Sequence, residues 1–283
     1  MSAGRGGPRR ATRPTSSIRF LSLLDDWRAR ALAAAAIVGV AVVATLLFTV
    51  LRSGDHVVLF APRFPAGSTL VTNEFATYNP RAAGAVRSAS WISTSGSLFA
   101  RDGGGYSGVP DDGDPNATSS SATGSSVFRL VSRRRDFGDV SIRMRLRVDR
   151  LLDTPESTDA WDGVHVFARY QSEDSLYVVS VSRRDGSVVA KKKLPGGTSN
   201  GGTYVQIGET VHDPLAHGLW HDVRLDVAND DGGVRLVLHL DGLPVLDVVD
   251  RGIGGPAITE PGRVGLRGDL CEFDFDRFSV RSL

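Results

Sequence analysis

The chain predicts a single all-β domain, a large sandwich or barrel, placed behind one membrane-spanning helix. Three observations carry that prediction. Residues 31–51, ALAAAAIVGVAVVATLLFTVL, run for 21 positions without a charge. A helix of that length covers roughly 30 Å, the apolar thickness of a bilayer. Further on, Val140, Ile142, Met144, Leu146 and Val148 alternate with Ser141, Arg143, Arg145 and Arg147, the period of two that marks a strand with one buried face. Finally, turn signals recur at steady spacing, at Asp185-Gly186, Asp231-Gly232-Gly233 and Asp241-Gly242, each flanked by apolar alternation, as hairpins require.

Residues 1–30 read as a disordered basic tail: 1–20 are rich in Gly, Pro, Arg, Ser and Thr with too little apolar matter to fold, and Ser17 to Arg30 could form a short amphipathic helix leading into the span. Seven arginines precede the apolar run, against Asp25 and Asp26, and Arg52 follows it. The positive-inside rule keeps such an N-terminus in the cytoplasm and sends the rest out, giving a single-pass cell-membrane protein. A cleaved signal peptide would have a shorter apolar core and a small-residue cleavage site, whereas this segment continues into LRSGDHVVLF. Residues 52–68 read as a membrane-proximal connector and 69–283 as the sandwich. About a dozen strands are expected there and no soluble helix: 69–75, 91–101, 127–132, 139–149, 163–170, 176–183, 188–194, 204–208, 220–228, 234–240, 245–249, 262–268 and 272–280. The Gly/Ser/Asp-rich stretch 102–125, with Gly103, Gly104 and Gly105, reads as a long loop.

Charge divides along the same boundary. Residues 1–52 hold eight Arg and two Asp, and the remainder holds 25 basic against 30 acidic residues. A mildly acidic outer part speaks against nucleic acid, which needs a basic face. Cys271 is the sole cysteine, so an internal disulfide is impossible, and beside aromatic strand residues it reads as packing.

The C-terminal third carries a resemblance. Trp220-His-Asp-Val-Arg224, Leu240-Asp241-Gly242, Gly262-Arg-Val-Gly-Leu266 and Phe273-Asp-Phe-Asp276-Arg-Phe278-Ser-Val280 occur in that order. The set resembles the second half of a concanavalin A-like lectin/glucanase domain, with laminin-G-like and 3-keto-disaccharide hydrolase relatives. That resemblance, over residues 69–283, implies a jelly roll of two antiparallel sheets with carbohydrate bound in the concave face. The fold hosts lectins, hydrolases, lyases and adhesion modules, so function has to come from a site.

Glycosidases of this fold carry paired carboxylates on one strand. Here Glu272, Asp274 and Asp276 share a face, but of the terminal strand, where the resemblance puts Phe273 and Phe275 inside and the acids outward on an ion-paired or solvated surface. On 163–170 a regular pleat puts Val164, Val166 and Ala168 in the core and His165, Phe167 and Arg169 on the opposite face. Sugar binding wants aromatic faces with planar polar groups. The candidate ligand-binding residues are therefore Trp161, His165, Arg169, Tyr177, Lys191, Lys193 and Tyr204. Lys191-Lys192-Lys193 holds all the lysines of the chain, its outer two on one face and its middle one on the other. Asp112, Asp114 and Asn116 have the first oxygen spacings of a calcium loop; they lack its glycine and distal glutamate, and an Asx-rich turn is the ordinary reading. Asn116-Ala117-Thr118 matches a glycosylation sequon. No H-E-x-x-H, G-x-S-x-G, phosphate-loop or dinucleotide motif occurs.

The function expected is recognition of a cell-wall or environmental glycan by a tethered lectin-like domain. A glycoside hydrolase or 3-keto-glycoside-cleaving enzyme is the first alternative and a protein-binding adhesion module the second. An enzyme should bring two acids, or a histidine and an acid, together in the groove with perturbed pKa values. An adhesion module should instead lack a groove and expose an apolar patch.

Overall fold

The computed structural model describes residues 56–109, 126–153 and 159–283. The basic tail 1–30, the apolar run 31–51, the calcium candidates Asp112, Asp114 and Asn116, and the sequon at Asn116 lie outside the described residues. Among the described residues no helix is long and apolar enough to cross a membrane. In chain order the strands are β1 Val58–Phe60, β2 Thr69–Asn73, β3 Trp91–Ser95, β4 Ser97–Arg101, β5 Gly104–Tyr106, β6 Val127–Ser132, β7 Val140–Leu151 and β8 Gly163–Ser172. They continue as β9 Ser175–Arg183, β10 Ser187–Ser199, β11 Gly202–His212, β12 His221–Asp230, β13 Gly233–Leu240, β14 Leu243–Asp250, β15 Arg263–Asp269 and β16 Cys271–Ser282. One helical turn, Phe75–Tyr78, follows β2.

The strands make two sheets, all of whose pairings are antiparallel. A nine-stranded sheet has the order β14-β13-β12-β7-β16-β5-β4-β2, with β1 also paired to β16; a seven-stranded sheet runs β11-β10-β9-β8-β15-β6-β3. The alternation read from 140–149 is realised, with Ile142 and Leu146 fully buried between the sheets while Arg143, Arg145 and Arg147 face out. Val164, Val166, Val179, Leu225, Leu236 and Leu266 fill the same layer from other strands, so the sandwich is held chiefly by apolar burial.

Local breaks in the pleat explain where the structure departs from the alternation. Residues 91–101 are two strands: the chain turns at Gly96 (φ +71°) and passes from the seven-stranded sheet to the nine-stranded one. Gly103 is the turn glycine expected (φ +81°), but Gly104 and Gly105 open β5, where a Cβ at Gly105 would lie 2.3 Å from the Phe275 ring. In β16 a bulge between Asp276 and Ser279, with Arg277 at φ +51°, re-phases the strand. It lets Phe273 and Phe275 and then Phe278 and Val280 all point inward. Glu272 and Asp274 face outward into ion pairs with Arg150, Arg147 and Arg101, as the ion-paired reading of that triplet expects. Cys271 is buried, its thiol donating to the Gly163 carbonyl at 3.2 Å, and burial pushes its pKa well up. It is a packing residue without thiolate character.

A buried ion pair, Lys192 with Asp250, joins the two sheets from inside. Lys192 is fully buried, its Nζ 2.8 Å from Asp250 Oδ2 and donating to the carbonyls of Gly255 (2.7 Å) and Pro256 (3.1 Å). Asp250 also accepts from Tyr177 Oη at 2.6 Å and from the amides of Gly252 and Ile253. Burial alone would raise the Asp250 pKa, but these donors hold it below the usual carboxylate range. The pair ties β10 of one sheet to β14 of the other. Removing one member of a buried ion pair strands its partner. Lys192→Met is therefore expected to cost about 3–5 kcal/mol in urea unfolding, whereas Lys191→Met, one residue away on the open face, should stay within about 0.5 kcal/mol.

Candidate functional site

The outer face of the seven-stranded sheet carries a cleft of about 420 Å³. Its floor comes from residues that the pleat turns away from the core: His165 on β8, Val178 and Ser180 on β9, Lys191 and Lys193 on β10, and Arg267 and Asp269 on β15. Tyr204 on β11 and Asn200, in the β10–β11 turn, close one side, and Trp161, 50 % exposed, stands on the rim. Asp162 anchors that rim: it is buried, and its carboxylate takes the Arg184 guanidinium at 3.2 Å.

The floor is a connected polar network. Arg267 grips Asp269 through two parallel bonds, Nε to Oδ2 at 2.7 Å and Nη2 to Oδ1 at 2.6 Å, and donates to Tyr204 Oη at 3.2 Å. His165 Nε2 lies 3.1 Å from Asp269 Oδ2 and its Nδ1 lies 2.8 Å from Ser180 Oγ. A carboxylate only accepts, so Nε2 carries the proton, and Nδ1 then accepts from the Ser180 hydroxyl. Burial disfavours charge on His165 and lowers its pKa, with the Asp269 bond offsetting part of that. Burial would push Asp269 up, yet Arg267 and His165 hold it at about 2. Lys193 donates to the Glu173 carbonyl at 2.6 Å and lies 5.3 Å from the Tyr204 ring centre, within cation–π range. The Lys191 ammonium makes no hydrogen bond or ion pair to the described residues; burial, and then Arg183, lower its pKa.

Of the seven residues proposed from sequence, Trp161, His165, Lys191, Lys193 and Tyr204 line this cleft, and Arg169 and Tyr177 do not. Arg169 departs from the pleat: it sits at φ +46°, between register shifts on both sides of β8. The bulge turns its side chain inward, where it is 1 % exposed and bonds to Asn229 Oδ1 (2.6 Å), Asp139 Oδ1 (2.9 Å) and the Thr259 carbonyl. Tyr170 takes the outer position in its stead and stacks on Phe167 at 5.9 Å. Tyr177 lies on the core phase of β9, bonded to Asp250 and to the Ile258 amide. The residues missed from sequence are Ser180, Asn200, Arg267 and Asp269. Arg267-Gly-Asp269 did carry a signal, since positions two apart on a strand share a face. Among the described residues no group of His, Cys, Asp and Glu is placed to hold a metal ion.

Fold and cleft together define a two-sheet antiparallel sandwich with a polar, aromatic-rimmed cleft on one outer face. No family model matches the sequence, and no curated protein does. Solved structures similar to it include a carbohydrate binding module, CBM66 from Bacillus subtilis, with a TM-score of 0.45 and 13 % identity over 68 % of this chain and 95 % of that one. An endo-1,3-beta-glucanase from Streptomyces sioyaensis gives a TM-score of 0.45 and 16 % identity over 79 % and 99 %. The exoplasmic/lumenal domain of VIP36, in its Ca2+/Man3GlcNAc-bound form, gives 0.43 and 12 % over 68 % and 84 %. These likenesses are of fold.

Two expectations follow from this geometry. Arg169→Ala should lower stability by about 2–5 kcal/mol, because it empties the space of a buried side chain and takes the donor from the buried Ile258 carbonyl; chemical unfolding will read it. Acid should also weaken the fold. His165 titrates below its ordinary 6.5 when folded, so below that value the unfolded chain binds the extra proton. Stability is then complete above about pH 6.5 and falls as the pH drops toward the lowered folded pKa. His239, also lowered by burial, acts in the same sense, and Asp269 adds its loss only between its ordinary 3.8 and about 2. Thermal melts at pH 7.5 and 5.5 should therefore show a lower midpoint at 5.5, with a smaller drop in His165→Asn.

Proposed function

We propose that this protein binds a glycan in the outer cleft of the seven-stranded sheet, held at the cell surface by residues 31–51 with the N-terminus in the cytoplasm. The observation that carries the reading is the combination lining the cleft. Trp161 and Tyr204 offer aromatic faces for the apolar faces of a sugar ring. Arg267, Asp269, Asn200 and Ser180 offer planar or hydroxyl partners for sugar hydroxyls. Lys191 is a cation that no described carboxylate neutralises, and Lys191, Lys193 and Arg267 face one carboxylate, Asp269, among the lining residues. That excess favours a sugar bearing a carboxylate, such as a uronic acid, over a neutral one. An adhesion surface is less well supported, since Phe167, Tyr170, Leu176 and Val178 on this face are buried.

One observation favours a second, enzymatic reading. A histidine and an acid with perturbed pKa values meet in the cleft, and Ser180 donates to that histidine in the order of nucleophile, base and orienting carboxylate. Glycoside cleavage by paired carboxylates lacks its second carboxylate among the described lining residues. The chemistry suited to this trio is instead hydrolysis of an ester substituent on the bound sugar. Against it, β9 is hydrogen-bonded on both edges, so its ladder amides offer no obvious oxyanion site. Binding therefore stands first.

The test is a glycan array probed with the full chain in neutral detergent, with the supernatant assayed for released acid and sugar. Binding of uronate-containing glycans is expected, weakened about tenfold or more in Lys191→Ala and Tyr204→Ala at an unchanged melting temperature. Acetate release that Ser180→Ala abolishes would promote the enzymatic reading. No glycan bound at any concentration, with the fold intact, would overturn both.

A further inference from the structure

The opposite face of the molecule holds a second depression, of about 330 Å³, on the outer side of the nine-stranded sheet. Its charges are arranged differently from the rest of that face. Elsewhere each guanidinium meets a carboxylate: Arg101 with Asp149 and Asp274, Arg147 with Asp149 and Asp274, Arg150 with Glu272, and Arg235 with Asp247. In the depression that pairing fails. Arg145 is bound to Asp276, and Arg224 reaches Asp226 at 3.1 Å. Arg143, Arg277 and Arg281, which also line it, have no carboxylate partner among the described residues. With Asp222 on the rim, five guanidiniums face three carboxylates, leaving two positive charges in excess.

The arrangement works against stability. Arg143 stands directly opposite Arg224 across the β7–β12 ladder, and like charges in that position repel. Burial, then Arg224 and Arg281, lower the Arg143 pKa. The β16 bulge adds Arg277 to the same place, at a positive φ that a non-glycine residue adopts only at a cost. Donors are left over as well. Arg224 Nε and Arg281 Nε are buried and meet no acceptor. Arg224 Nη2 donates to His239 Nε2 at 2.9 Å, so the proton of His239 is on Nδ1, which is likewise buried and unpartnered. Among the described residues the one buried side-chain acceptor in the same condition is Asp226 Oδ1. These N–H groups are closed to solvent, so an anion in the depression would meet the exposed parts of the same side chains, of which Arg224 is 38 % exposed.

We infer that this depression is a binding site for a phosphate monoester group. Five guanidiniums line the one depression, and a set of forked donors suits a tetrahedral oxyanion with three free oxygens better than a carboxylate with two. The excess of two positive charges matches the charge of roughly −1.5 to −2 that a phosphate monoester carries near neutral pH. A sugar phosphate and a lipid headgroup of the phosphatidic acid type present the same chemistry, and the two sources separate in the test.

Calorimetric titration of the full chain in neutral detergent, with inorganic phosphate, glucose 6-phosphate and dihexanoyl phosphatidic acid as probes, reads the site directly. Dihexanoyl phosphatidylcholine, a diester, is the control. Saturable binding of the monoesters is expected, at least about tenfold weaker in Arg143→Gln/Arg281→Gln and weaker as salt rises. The melting temperature of that variant should hold or rise, because it relieves repulsion and removes no ion pair. Tighter binding of the sugar phosphate would assign a soluble ligand, and tighter binding of the lipid a membrane one; either supports the site. Failure to bind any monoester, binding undiminished in the variant, or a variant that melts well below the parent would overturn it, the last by showing that the arginines serve the fold.

Discussion

The buried contact between Lys192 and Asp250 is the constraint around which the rest is arranged. It joins strands of different sheets, and through Tyr177 and the carbonyls of Gly255 and Pro256 it fixes the segment that leads out of β14. An ammonium taken wholly out of water is tolerable only where every donor finds a partner, and here each does. Because a strand alternates its faces, placing Lys192 inward obliges Lys191 and Lys193 to point outward. The charge in the cleft is thus a geometric consequence of the charge in the core.

Much of this was legible beforehand. Period-two alternation and Asp-Gly turns located most strands to within a residue or two, and the last strand's inward phenylalanines and outward acids were what the family resemblance implied. What was not legible were the places where the period slips. A single bulge at Arg169 moved a presumed cleft residue into the interior and brought Tyr170 out. The propensity of arginine gives no hint of φ +46°; that conformation is imposed by Asn229, Asp139 and the Thr259 carbonyl, which lie 30 to 90 positions away in sequence. The loop reading of Gly104 and Gly105 failed for the converse reason. Their composition says loop, and only the Phe275 ring packed against them explains why a strand must lack side chains there.

The cleft shows how far face assignment alone can go. Arg267 and Asp269 sit two apart on a strand whose existence was read correctly, yet their importance arises from the partners they meet: Tyr204 from one strand and His165 from another. A pairing of that kind belongs to sheet order, β11-β10-β9-β8-β15, in which strands far apart in the chain become neighbours. Local sequence encodes the side of the sheet; topology decides the company kept there.

The first described strand has a mechanical meaning. β1 lies antiparallel to β16, with Val58 opposite Arg281, and its approach is reinforced by bonds from His56 and Val57 to Ser282. β16 in turn runs along β7 for nearly its whole length, in the middle of the larger sheet. A pull on residue 56 is therefore delivered to the centre of the sandwich, where many ladder bonds share the load, and an edge strand is spared from being peeled away. A domain loaded through its centre can bear tension at residue 56 while the outer faces of both sheets keep their shape.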